Sequence, residues 1–97
     1  MCGIVGYIGK RNAVDVMLQG LSKLEYRGYD SSGIAIVQGS EVLVNKAEGK
    51  LVNLQNKIED LHLESSIGIG HTRWATHGRP SDYNAHPHTS QNGKFAV

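Results

Sequence analysis

The sequence is short of cysteine: Cys2 is the only one among 97 residues. One cysteine excludes an intramolecular disulfide and fits a reducing compartment. Long apolar runs are also missing, and none approaches the ~20 residues that cross a bilayer. The N-terminus has no basic stretch followed by an apolar one, so the sequence predicts a cytoplasmic protein rather than a secreted one. Nor is there a bias of charge. The net value is +1, with acids and bases interspersed, which argues against nucleic acid or an anionic membrane as partner. Repeats, linkers and low-complexity tracts are lacking as well. Hydrophobic residues make up 39% and charged residues 20%, the balance of a globular domain rather than a disordered chain, and the length suits one domain.

Glycine, by contrast, is plentiful: 12 residues that mark tight turns and places of close backbone approach. Ile4, Val5, Tyr7 and Ile8 form a short apolar run suited to a strand. Asn12 is placed to cap a helix, with Asp15 in its first turn where the helix dipole favours a negative charge. Val14, Met17, Leu18, Leu21 and Leu24 then follow one helix face, and Gly28 is a stop signal. Residues 33–37 and 41–46 predict two strands joined by a hairpin at Gln38-Gly39-Ser40. Leu51, Leu54, Ile58 and Leu61 mark a second amphipathic helix.

Residues 66–72 predict a strand in which Gly68 and Gly70 leave one face bare for something packed closely. From Arg73 to Asn92 no periodicity appears, and a polar loop of that length inside a compact domain is usually functional or disordered. Asn92-Gly93 is a strong hairpin signal, and it outweighs a reading of that pair as oxyanion donors. Phe95–Val97 begins a further strand. The order strand, helix, strand, strand, helix, strand, loop, strand predicts an α+β fold with a mostly antiparallel sheet.

A lone cysteine is ordinarily a small buried hydrophobe, but the place of Cys2 changes that reading. Removal of Met1 would leave the α-amine and the thiol on one residue. An α-amine with a pKa of about 7.7–8.0 is roughly one-tenth unprotonated at pH 7. It can therefore serve the thiol as general base, directly or through one water. The second cluster is His71-Thr72-Arg73-Trp74-Ala75-Thr76-His77-Gly78. Arg73 suits bidentate capture of an α-carboxylate, worth about 1.5–3 kcal/mol. Thr76 and His77 add donors, and Trp74 suits a cover that excludes water. Singly, Arg73 would be a surface residue and Trp74 a core anchor. Together, in a chain headed by Cys2, they point to an active site. His71, His77, His86 and His88 lack the spacing of a helical zinc pair, and no second cysteine completes a clamp, so no metal is expected.

These motifs resemble those of the class II (N-terminal nucleophile) glutamine amidotransferases: Cys2-Gly3-Ile4-Val5-Gly6, Tyr26-Arg27-Gly28-Tyr29-Asp30-Ser31, the His71–Gly78 run and Asn84-Ala85-His86-Pro87-His88, in the family's order. Within the class, Tyr26–Tyr29 and Trp74 with His77 are similar to the glutaminase domain of the glucosamine-6-phosphate synthases. Amidophosphoribosyltransferases typically carry His and Gln in the first motif and Tyr for Trp in the second. The resemblance implies that Cys2 forms a glutamyl thioester with glutamine and releases ammonia. It makes Arg73 the α-carboxylate ligand, with Thr76 and His77 holding the amino acid. Trp74 would lie on the closing loop, and Arg27 would support the N-terminus as a second catalytic-site residue.

It further implies a four-layer αββα sandwich, of which residues 1–97 supply the N-terminal part, and neither cofactor nor metal. Fructose 6-phosphate would be met only by sugar-isomerase domains absent here, in a parent protein expected to be a homodimer. The family's oxyanion Asn-Gly and a later Asp are missing from these 97 residues. Since one such donor is worth ~10²–10³ in rate, little activity is expected from them alone. Uncovered strand edges predict self-association, or irregular structure from Arg73 to Asn92. The competing readings are another class II amidotransferase, a catalytically dead module binding an amino acid or partner chain, and, last, a metal-binding module.

Overall fold

The computed structural model of the chain describes residues 2–74 and 78–97. Its elements follow in the order β1 (Gly3–Ile8), α1 (Ala13–Lys23), a 3-10 turn (Glu25–Arg27), β2 (Ser31–Gln38), β3 (Glu41–Glu48), α2 (Leu51–Glu59) and β4 (Ile67–Arg73). The strands form one sheet in the order β1-β4-β2-β3, and every pairing is antiparallel. The expected α+β class and antiparallel sheet are therefore what the chain builds.

Both helices pack on the same face of that sheet. Val14, Met17 and Leu21 of α1 meet Leu51, Leu54 and Ile58 of α2 over Ile34, Ile36 and Ala47. Burial of each large apolar side chain in this group contributes about 1.5–3 kcal/mol. Close approach of α1 depends on the bare face of β4. A Cβ on Gly68 would lie 2.6 Å from the Met17 Cε, and one on Gly70 would lie 3.2 Å from the Leu21 Cδ1. What packs against those glycines is thus α1 itself.

Local signals explain the element ends. The Asn12 side-chain oxygen accepts from the Val14 N–H at 3.2 Å and from the Ser65 N–H at 3.2 Å, while its amide donates to the Leu63 carbonyl at 3.1 Å. One residue caps α1 and ties down the chain entering β4. Gln38 pairs with Glu41 across a two-residue turn, with Gly39 at φ 63°. Lys50 gives α2 no side-chain cap; the Tyr29 hydroxyl instead accepts from the Leu51 N–H at 2.6 Å.

Three expectations need correction. Helix α1 ends at Lys23, and Gly28, at φ 80°, closes the 3-10 turn that follows. Helix α2 stops at Glu59, leaving Leu61 52% exposed beyond it. Phe95–Val97 forms no strand. The Asn92-Gly93 hairpin does close, with His88 and Val97 exchanging backbone hydrogen bonds, but it amounts to one isolated bridge, Thr89 to Ala96. Too few residues flank the turn for a ladder.

Residues 78–97 hold no helix or strand, and they are packed on the sheet face opposite the helices. Ala85 is fully buried, and a Cβ on Gly33 of β2 would overlap the His86 carbonyl oxygen. Asp82 accepts from the Glu48 N–H at 2.6 Å and pairs with Lys57 at 3.4 Å; the Lys46 ammonium donates to the Tyr83 carbonyl at 3.1 Å. On the β1 side the same face stays open, with Ile4 and Ile8 76% and 78% exposed. The described residues thus form one sheet with one helix layer. Among them no helix is long and apolar enough to cross a membrane.

The glycine contacts separate two substitutions in chemical denaturation. Gly33→Ala must displace the backbone at His86 and is expected to cost about 1–3 kcal/mol. Gly6→Ala, with nothing within 4 Å of its Cβ, should change stability by less than about 0.5 kcal/mol. Equal midpoints for the two would contradict the packing of residues 85–88 on β2.

Candidate active site

Strand register assembles the site. Gly3 stands opposite Thr72, and on the other edge of β4 Ser31 stands opposite Arg73. Carrying the first register one residue further brings Cys2 to the end of β4, where the chain leaves the sheet. The Asp30 N–H donates to the Arg73 carbonyl at 2.8 Å, so the Tyr26–Ser31 motif arrives at the same point. Segments more than 40 residues apart in sequence therefore meet at one corner of the sheet.

At that corner Cys2 is exposed. Its Sγ lies 3.5 Å from the Trp74 N–H, from which it accepts, and 3.9 Å from the Trp74 carbonyl, to which the thiol can donate. An accessible sulfur oriented by two backbone groups is suited to attack on a bound substrate. Arg73 is only 7% exposed, so the surface-residue reading does not hold. One arm of its guanidinium donates to the Gly78 carbonyl at 3.4 Å. Trp74 is no core anchor either: it is 50% exposed, with its six-membered ring set against Gly28.

Arg27 ends the 3-10 turn immediately before Gly28 and is half-buried. The structure thus brings Cys2, Arg73 and Trp74 together and sets Arg27 one residue from the contact made by the indole. Thr76 and His77, the other expected substrate ligands, lie outside the described residues, as does Met1.

Beside Arg73 lies an arrangement that spacing alone did not reveal. The His71 and His86 rings stack with centroids 4.4 Å apart, and His86 meets His88 at 4.3 Å. Among the described residues no three His, Cys, Asp or Glu are grouped to hold a metal ion. Burial, then the neighbouring His86, His88 and Arg73, lower the pKa of His71 from 6.5 to about 4. His86 and His88 are shifted down as well, first by burial and then chiefly by Arg73 and by His86 respectively. The stack is accordingly neutral at pH 7, which spares Arg73 a second cation beside it. The only hint in the sequence was the His-Pro-His spacing at 86–88.

The sign of the resulting pH dependence follows directly. A folded-state pKa below the unfolded value means that the unfolded chain takes up the proton first as pH falls. Stability from His71 is therefore complete above about 6.5 and is lost down to about 4. Melting temperature should decline across that window, and His71→Asn should make the decline shallower. A wild-type curve flat between those values would contradict the buried neutral imidazole.

No family model matches the chain. Curated relatives do, over all 97 residues. The glutamine–fructose-6-phosphate aminotransferases (isomerizing) of Clostridium acetobutylicum, Symbiobacterium thermophilum and Pyrococcus horikoshii are 58%, 60% and 57% identical to it. The match takes in 100% of this chain and 16% of each relative, so the chain spans about a sixth of their length. Among solved structures, the glutamine phosphoribosylpyrophosphate amidotransferase of Bacillus subtilis, in complex with ADP and GMP, superposes with a TM-score of 0.74. That likeness has 26% identity and covers 95% of this chain and 20% of the other. Similar over its whole length to the one group and in fold to the other, the chain belongs to the class II, N-terminal-nucleophile glutamine amidotransferases.

Proposed function

We propose that residues 1–97 are the N-terminal part of a glutaminase domain in which Cys2, freed of Met1, is the nucleophile. The observation that carries this reading is the exposed Cys2 sulfur, 3.5 Å from the Trp74 N–H, at the strand end where Arg73 is buried. In the first step the α-amine of Cys2 takes the thiol proton, directly or through a water, and Sγ attacks the side-chain amide carbon of glutamine. The C–N bond breaks, the nitrogen takes up the proton and ammonia leaves, with a glutamyl thioester on Cys2. Water then attacks the thioester carbon, which releases glutamate and restores the thiol.

The other residues bind rather than react. Arg73 takes the glutamine α-carboxylate through its planar fork. Thr76 and His77 hold the rest of the amino acid, Trp74 covers it, and Arg27 supports the N-terminus. The printed names of the relatives support fructose 6-phosphate as the ammonia acceptor, met by parts of the protein beyond these residues. The reading further places the whole protein in the cytoplasm as a homodimer, with this segment as one part of a four-layer αββα sandwich.

An electrophilic glutamine analogue, such as its side-chain diazoketone, tests the reading by intact mass. It should add once, at Cys2, and only to molecules that have lost Met1. Arg73→Lys should slow that labelling by about 10- to 150-fold, the equivalent of a charged bidentate contact. Iodoacetamide, which has no α-carboxylate, should react with both proteins at similar rates. Labelling of Met1-bearing chains at the same rate, or equal slowing with both reagents, would overturn the assignment.

A further inference from the structure

One contact at the corner of the sheet is not accounted for by the chemistry above. Gly28 has φ 80° and ψ 139°, in the region of positive φ with an extended ψ that is essentially open to glycine alone. A Cβ built on it would lie 3.4 Å from Trp74 Cζ3 and 3.7 Å from Cε3. That is ordinary contact distance, so the indole rests directly on the Gly28 backbone. The constraint on this position is therefore the backbone conformation rather than side-chain space.

The peptide under the ring is held from several directions. The Gly28 N–H donates to the Glu25 carbonyl at 3.1 Å, and the Asp30 N–H donates to the Arg73 carbonyl at 2.8 Å. Between them, the Tyr29 hydroxyl donates to Glu25 Oε2 at 2.6 Å and accepts from the Leu51 N–H at 2.6 Å. Segment 25–30 is thereby tied both to α2 and to the strand end that carries Trp74. Trp74 is held at two points, its ring on Gly28 and its peptide at the Cys2 sulfur.

We propose that Gly28 is a positioning residue: its backbone is the seat that sets the Trp74 indole, and through the Trp74 peptide N–H the place of the Cys2 sulfur. The inference deepens the reading of Cys2 as nucleophile and rests on it for its effect on glutamine chemistry. The seat itself is a statement about Trp74 alone. Any L-residue at position 28 drives the backbone out of its present conformation, shifts the ring and misplaces the sulfur. A misplacement of ~1 Å at a reacting atom is worth about a hundredfold in rate.

Trp74 is the one tryptophan of the sequence, so its emission reports the seat without reference to activity. In Gly28→Ala, acrylamide quenching should rise by up to about twofold, the ceiling for an indole that is 50% exposed now. Labelling of Cys2 by the glutamine analogue should fall by about 10- to 100-fold, and iodoacetamide labelling should stay within about twofold. In a Trp74→Ala background, Gly28→Ala should produce no further loss of labelling.

Gly39→Ala, also at positive φ but with open space around it, serves as control and should alter neither readout. Should Gly28→Ala not fold, Tyr29→Phe removes both hydroxyl bonds of the platform. It should move quenching and labelling in the same direction by less. Quenching unchanged in the folded variants, or the same labelling loss with and without the Trp74 side chain, overturns the seat. Quenching that responds while the wild type never takes the glutamine analogue refutes the nucleophile reading and leaves the seat standing.

Discussion

Strand β4 carries hydrogen-bonded partners on both edges, β1 on one and β2 on the other, and the rest of the molecule is arranged around that double pairing. A strand paired on both sides has its register set twice, and a slip by one residue would turn every side chain to the opposite face. Here the helix-side face of β4 is bare at Gly68 and Gly70, which lets α1 lie down on the sheet. The opposite face presents His71 and Arg73. A one-residue slip would push Ile67 and Ile69 against α1 and turn the buried arginine toward the core.

The same constraint makes the corner of the sheet electrostatically quiet. Arg73 is nearly buried, and a cation in that state requires polar partners and the absence of further positive charge. The imidazoles of His71, His86 and His88 sit close by, and burial keeps their pKa values below the ordinary histidine range. Residues 78–97 bring two of those rings to the sheet, helped by the fit of the His86 carbonyl against Gly33 and by Asp82 on Glu48 and Lys57. The polar loop that lacks periodicity is thus a packed cover on β2 and β3, held by backbone and charge contacts rather than by a helix or strand of its own.

Much of this was legible beforehand where the cause is local. The spacing of Val14, Met17 and Leu21 specifies which side of α1 is buried, because helical periodicity acts within a few residues. Asn12 announces its cap, and Gly39 and Asn92-Gly93 announce their turns, because positive φ and side-chain capping are properties of one or two residues. The failures share a cause as well. Phe95–Val97 has strand composition, but a strand exists only through its partner's ladder. Leu61 keeps the helical spacing of α2, but the chain has already turned away at Asp60. Arg73 looked like a surface residue by type, and only its place beneath the cover made it a buried one.

By itself, then, the sequence determined the helices, the turns, the bare face of β4 and the candidates Cys2, Arg73 and Trp74, all of which rest on side-chain type and short-range spacing. Tertiary structure alone decided that β1 lies beside β4 rather than beside β2, that three histidines stack instead of converging, and that Gly28 lies beneath the Trp74 ring. The physical reason is that each strand's alternation is compatible with several neighbours and registers. The choice among them is made by burial and hydrogen bonding summed over residues far apart in the chain.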